Sequence, residues 1–191
     1  ALSANTAAEN TAVGVSALED NTPGTRNTAM GVDALQECTT GDNNTALGYN
    51  ALENPTTASK NTAVGSYALT TNTTGDHNTG IGYQAIDANT TGIQNTGCGS
   101  NVLSANTTGS NNTAVGRDAL ASNTTANDNT AVGYQALDAN TTGNYLSAFG
   151  YQALTNCTTG QYNNALGTYS QHGTTTGSYN TSLGYLSLGN S

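Results

Sequence analysis

Side chains capable of chemistry are few in this 191-residue chain, which holds two histidines, three cysteines and twelve carboxylates. Acid–base, nucleophilic or metal chemistry needs several such groups to converge. His77 and His172 stand far apart in unlike surroundings and read as surface residues. Glu19, Glu53, Asp87 and Asp138 occupy one repeating slot but skip units between them. No serine lies in an elbow motif or near a histidine. The Gly-Gly-x-Gly-x-Asp signature of calcium-binding rolls is missing. The expectation is a protein that is not an enzyme and uses no cofactor and no metal.

Arg26, Lys60 and Arg117 are the only basic residues against a net charge of −9. That balance argues against nucleic acid and anionic membrane surfaces as partners. No apolar run approaches the ~20 residues of a spanning helix. Cys38 and Cys157 fall in one slot of the repeat, seven units apart. At about 4.8 Å per stacked coil the gap is roughly 34 Å, so no disulfide is expected between them. Cys98 takes the slot of Val132 and is expected as a small buried apolar residue.

Two recurrent features could carry function. Asn-x-Ser/Thr sequons begin at Asn43, Asn72, Asn89, Asn106, Asn111, Asn123, Asn140, Asn156 and Asn180. Of these, Asn72, Asn89, Asn106, Asn123, Asn140 and Asn156 are candidate N-glycosylation sites. The stronger reading of the same residues is hydrogen-bonded Asn and Thr ladders along a stack. Tyr49, Tyr83, Tyr134, Tyr151 and Tyr185 share another slot, and an aromatic row can hold a glycan or partner or simply cover a β surface.

What must position these residues is a tandem repeat. Asn129 to Gly143 reads Asn-Thr-Ala-Val-Gly-Tyr-Gln-Ala-Leu-Asp-Ala-Asn-Thr-Thr-Gly, and Asn78 to Gly92 differs from it only at Gly80, Ile81 and Ile86. One glycine recurs every 17 residues from Gly14 to Gly184 without an insertion. A fixed short period marks a solenoid or fibre. Only 8% of residues are charged, so Asn, Thr, Ser, Gln and Tyr must cover the surface.

Each unit reads Asn-Thr-Ala-Φ-Gly-x-x-Ala-Leu-x-x-Asn-Thr-Thr-Gly-x-x, with Φ apolar. Glycine at this density excludes helix. Thr-Ala-Φ-Gly fits a short strand with Ala and Gly on one face and Thr and Φ on the other. Asn-Thr-Thr-Gly would form a second short strand or an arc. If extended, it would show one Thr and one Asn on a face. The fold expected is all-β: a parallel β-solenoid (β-roll or β-helix) of about eleven 17-residue coils with two or three short strands each. Residues 1–9 read as a degenerate half-repeat, and 10–191 as a single array. Both ends fall mid-repeat, so further coils or a stacked copy are expected to continue it.

The Φ row runs Val13, Met30, Leu47, Val64, Ile81, Cys98, Val115, Val132, Phe149, Leu166 and Leu183. If the small residues line a thin interior, this row faces outwards and needs a covering. Sister chains would supply it, with all members but Cys98 as interface residues, most simply in a parallel homotrimer. The sequence leaves open the opposite assignment, with Φ inside a fatter single-chain coil.

Asn-Thr-Ala-Val-Gly followed by Ala-Leu resembles the head repeats of trimeric autotransporter adhesins of the YadA type. Their shorter Ser/Thr-Ala-Ile-Gly repeat builds a left-handed parallel β-roll in a three-chain bundle. The Asn-Thr-Thr-Gly arc is similar to repeats of phage and marine bacterial tail-fibre-like proteins. The resemblance implies a structural or adhesive fibre segment, extracellular, on a cell surface or on a virion. Its partners would be copies of itself, as a trimer or a head-to-tail filament, and a host-surface glycan or matrix. The alternative is a binding module whose Asn/Thr face holds ice or polysaccharide.

Overall fold

Every 17-residue unit folds into one coil with one three-residue strand. The computed structural model describes residues 1–2 and 7–189. The strands are β1 (Thr11–Val13), β2 (Thr28–Met30), β3 (Thr45–Leu47), β4 (Thr62–Val64), β5 (Thr79–Ile81), β6 (Thr96–Cys98), β7 (Thr113–Val115), β8 (Thr130–Val132), β9 (Ser147–Phe149), β10 (Asn164–Leu166) and β11 (Thr181–Leu183). They form a single parallel sheet in chain order, each residue facing the one 17 positions on, as Ala114 faces Ala131. The chain is therefore an all-β parallel solenoid with no helix among the described residues. Leu2 continues the stack before β1 by donating its amide to the Ala17 carbonyl at 3.0 Å, as Leu18 does to Ala34 at 3.1 Å. The Asn5-Thr6 turn of the half-repeat lies outside the described residues.

Only one strand forms per coil, where two or three were expected. The rest of the coil turns too often to pair as a strand. Three non-glycine residues in a typical coil lie in the left-handed region, such as Gln135 (φ 51°), Leu137 (φ 55°) and Tyr145 (φ 59°). L residues enter this region at a cost of roughly 1–2 kcal/mol. Stacking holds them there: the Leu137 amide bonds the Ala153 carbonyl at 3.0 Å, and Gln135 bonds Arg117 at 3.0 Å. Even β-branched Ile86 obeys, at φ 55°.

The core is thin and small. The strand alanine, the Ala-Leu pair and two asparagines of a full coil are buried, as are Ala114, Ala119, Leu120, Asn112 and Asn123. Period two on the strand makes this geometry: Ala points in, so Thr and Φ point out. The buried asparagines of the middle coils are satisfied twice over. Within one coil Asn112 and Asn123 both donate Nδ2 to the Ala126 carbonyl, at 2.8 and 3.2 Å. Between coils the Asn112 Oδ1 accepts the Asn129 amide at 3.1 Å, and the Asn123 Oδ1 accepts Nδ2 of Asn140 at 3.1 Å. A buried amide with all its partners rigidifies a core that Leu and Ala alone would fill poorly. The penultimate coil departs from this: Gln171 replaces leucine and lies fully buried, its Nε2 donating to the Asn164 carbonyl at 2.7 Å.

Candidate functional site

Because the core is closed within the chain, functional groups are carried on outward rows that run along the stack. The first is the sheet face. Its Φ row projects away from the core, with Val13 53%, Met30 51%, Ile81 41%, Leu166 51% and Leu183 73% exposed. Leu47, Val64 and Val132 are half-buried, and Val115 and Phe149 are exposed. The alternative with Φ inside a fatter coil is thereby excluded. Cys98 corrects the expectation of burial: it shares the outward row and is exposed. A shallow groove of about 360 Å³ lies on the same face over β9 to β11, lined by Ser147, Phe149, Asn164, Leu166, Thr181 and Leu183 among others.

The second row lies on the Asn-Thr-Thr arc. An extended arc would place one Thr and one Asn on its face, but the arc is bent. The asparagine turns in and both threonines turn out. From Thr39 to Thr158 the first hydroxyl of each pair is locked to the next coil: Thr90 Oγ1 donates to Thr107 O at 3.0 Å, Thr107 to Thr124 at 3.0 Å and Thr124 to Thr141 at 3.2 Å. The second threonines, Thr40, Thr57, Thr74, Thr91, Thr108, Thr125, Thr142, Thr159 and Thr176, are all exposed.

The same inward turn removes most candidate glycosylation sites. Asn72, Asn89, Asn106, Asn123 and Asn140 are 0% exposed, with Nδ2 committed to carbonyls or to the preceding asparagine. A glycan on that nitrogen would displace both the bond and the packing, so these five do not carry one in the folded chain. Asn156 is exposed, its Nδ2 donating to the His172 carbonyl at 2.8 Å. Asn43 and Asn111 are exposed as well.

Tyrosines form the third feature, and all ten make ring–ring contacts. Tyr49, Tyr67 and Tyr83 meet edge to face, at 85° and 88°. Tyr145, Tyr162 and Tyr179 instead stack nearly parallel, at 4.9 and 5.0 Å with tilts of 12° and 6°. Sequence reasoning missed this column, although its spacing of 17 residues is plain in the chain. Rings stacked on one another offer edges to a ligand rather than faces, which argues against a glycan platform in that column.

The ionisable groups do not converge. Among the described residues no group of three or more His, Cys, Asp or Glu could hold a metal ion. Burial pushes the Asp87 and Asp138 carboxyls up, with Asp118 adding to Asp138. Burial also raises the Cys38 thiol to about 11 and raises Cys157, so neither is a ready nucleophile. No described helix is long and apolar enough to cross a membrane. No family model matches the chain, and neither a curated protein nor a solved structure does.

Proposed function

We propose that this chain is a structural fibre segment, extracellular or displayed on a cell or virion surface, that assembles with parallel copies of itself through the sheet face. The observation that carries the reading is the outward Φ row, apolar at every rung from Val13 to Leu183 and unbroken because the register never slips. An apolar stripe of that length seeks a cover. A second identical stripe in the same register matches it best, and three copies around one axis bury all three stripes. The segment carries no reaction of its own in this reading.

Cys98 provides the test, since it is the one thiol on the face. In solution the assembly should show about three times the 19.2 kDa chain mass. Mild oxidation should then link Cys98 to Cys98 of another copy, and Val115→Asp should abolish both results. A chain that stays monomeric at high concentration, with no Cys98 link, refutes the reading.

The outward threonine pairs favour a second reading, in which the arc is a binding face for ice or crystalline polysaccharide. Locked hydroxyls in one row beside outward hydroxyls in the next make a rigid, uncharged array. Purified protein should then show thermal hysteresis, lost in Thr108→Lys and kept in Val115→Lys. No hysteresis at high concentration removes the ice reading.

A further inference from the structure

We propose that Tyr145, Tyr162 and Tyr179 form an oxidative cross-linking site, at which a haem peroxidase supplied with hydrogen peroxide joins successive coils through dityrosine bonds. Three observations meet here. The rings are exposed, Tyr145 49%, Tyr162 42% and Tyr179 79%, so an oxidant reaches them. They lie on consecutive coils with ring centroids 4.9 and 5.0 Å apart. Their planes are tilted by only 12° and 6°, so the two rings of each pair face one another nearly in parallel. Coupling requires the two rings to move together, and the coil stacking supplies their proximity in advance.

The step balances. Each of two phenols gives up one electron and its hydroxyl proton and becomes a phenoxyl radical. The radicals join through the carbons beside their oxygens, and the two hydrogens on those carbons move to the oxygens, restoring both phenols. Peroxide takes the two electrons and two protons and leaves as two waters.

The other tyrosines serve as built-in comparisons. The edge-to-face rings of Tyr49, Tyr67 and Tyr83 direct an edge at a face and not one coupling carbon at another. Tyr134 and Tyr151 do stack, at 5.2 Å and 16°, but Arg117 donates Nη2 to the Tyr134 hydroxyl at 2.7 Å and sits 4.8 Å from its ring centre. A cation on the phenol makes removal of an electron harder. The C–C bond would staple coils that otherwise separate by local opening.

The test uses the whole chain, mixed with an isotope-labelled copy and treated with peroxidase and peroxide, followed by peptide mapping. Expected are same-chain links Tyr145–Tyr162 and Tyr162–Tyr179. Coupling at Tyr49–Tyr67 should be several-fold lower. Tyr162→Phe, which keeps the ring and its stacking, should abolish coupling in the column. The proposal is overturned by an absence of dityrosine in the folded chain, by links only between labelled and unlabelled chains, by equal yield at the edge-to-face pairs, or by column coupling that survives Tyr162→Phe.

Discussion

In Gly116→Ala the middle of the array is expected to come apart. Gly116 sits at φ +129°, a conformation open to glycine and strained for alanine. The added Cβ would stand 2.5 Å from the Gly133 carbonyl oxygen and 2.7 Å from its carbon. Those atoms are backbone, and the Gly116 amide is itself tied to the Cys98 carbonyl at 2.8 Å, so neither side can yield. Backbone strain and overpacking together cost about 3 kcal/mol or more. Stability in such a stack is held between neighbours, so the loss falls on the junction of β7 and β8. Amide hydrogen exchange should show those coils opening while distant ones stay protected. Unchanged protection and unchanged midpoint in denaturant would contradict the close glycine stacking.

Asn112→Ala should be nearly as damaging, although it removes no large apolar group. The variant loses the bond to the Ala126 carbonyl at 2.8 Å and a contact with Asn95 Oδ1 at 3.1 Å. It also strips the Asn129 amide of its acceptor, at 3.1 Å. An orphaned buried donor costs about 1–3 kcal/mol, and the cavity adds to it. A loss of about 3 kcal/mol in equilibrium unfolding is expected. A change within about 0.5 kcal/mol, the range of an ordinary surface substitution, would mean that the asparagine column is decorative. The exposed neighbour Thr108→Ala serves as that reference.

Much of this architecture is legible in the order of the residues. The 17-residue period sets the parallel register, and period two on Thr-Ala-Φ puts alanine inside. The same parity places Cys98 outside with its row, and expecting it to be buried set its chemistry above its position. The arc is harder. Alternation holds only for extended backbone, and Asn-Thr-Thr bends, so Asn140 turns in while Thr141 and Thr142 turn out. That bend is why sequons that look like surface sites are core residues. The left-handed leucines are not readable either, because Leu137 carries no local signal for φ 55°. Its neighbours one coil away impose that conformation, and single-residue preference is silent about them. The tyrosine column at Tyr145, Tyr162 and Tyr179 is legible in spacing but not in ring tilt.

The asparagine columns also give the stack a direction. From Asn72 to Asn123 each side-chain carbonyl accepts from the amide of the following coil, never from the preceding one. The backbone amides of the other column follow the same sense, as Asn44 bonds back to Asn27. The first threonines of the Thr-Thr pairs are equally one-sided, their hydroxyls donating forward, as Thr107 does to Thr124. The two ends of any such stack are therefore chemically unlike, one offering asparagine oxygens and the other asparagine N–H groups. A coil joining it can dock in only one orientation. Growth by stacking would be polar, with a fast and a slow end, and two stacks meeting by like ends could not fuse.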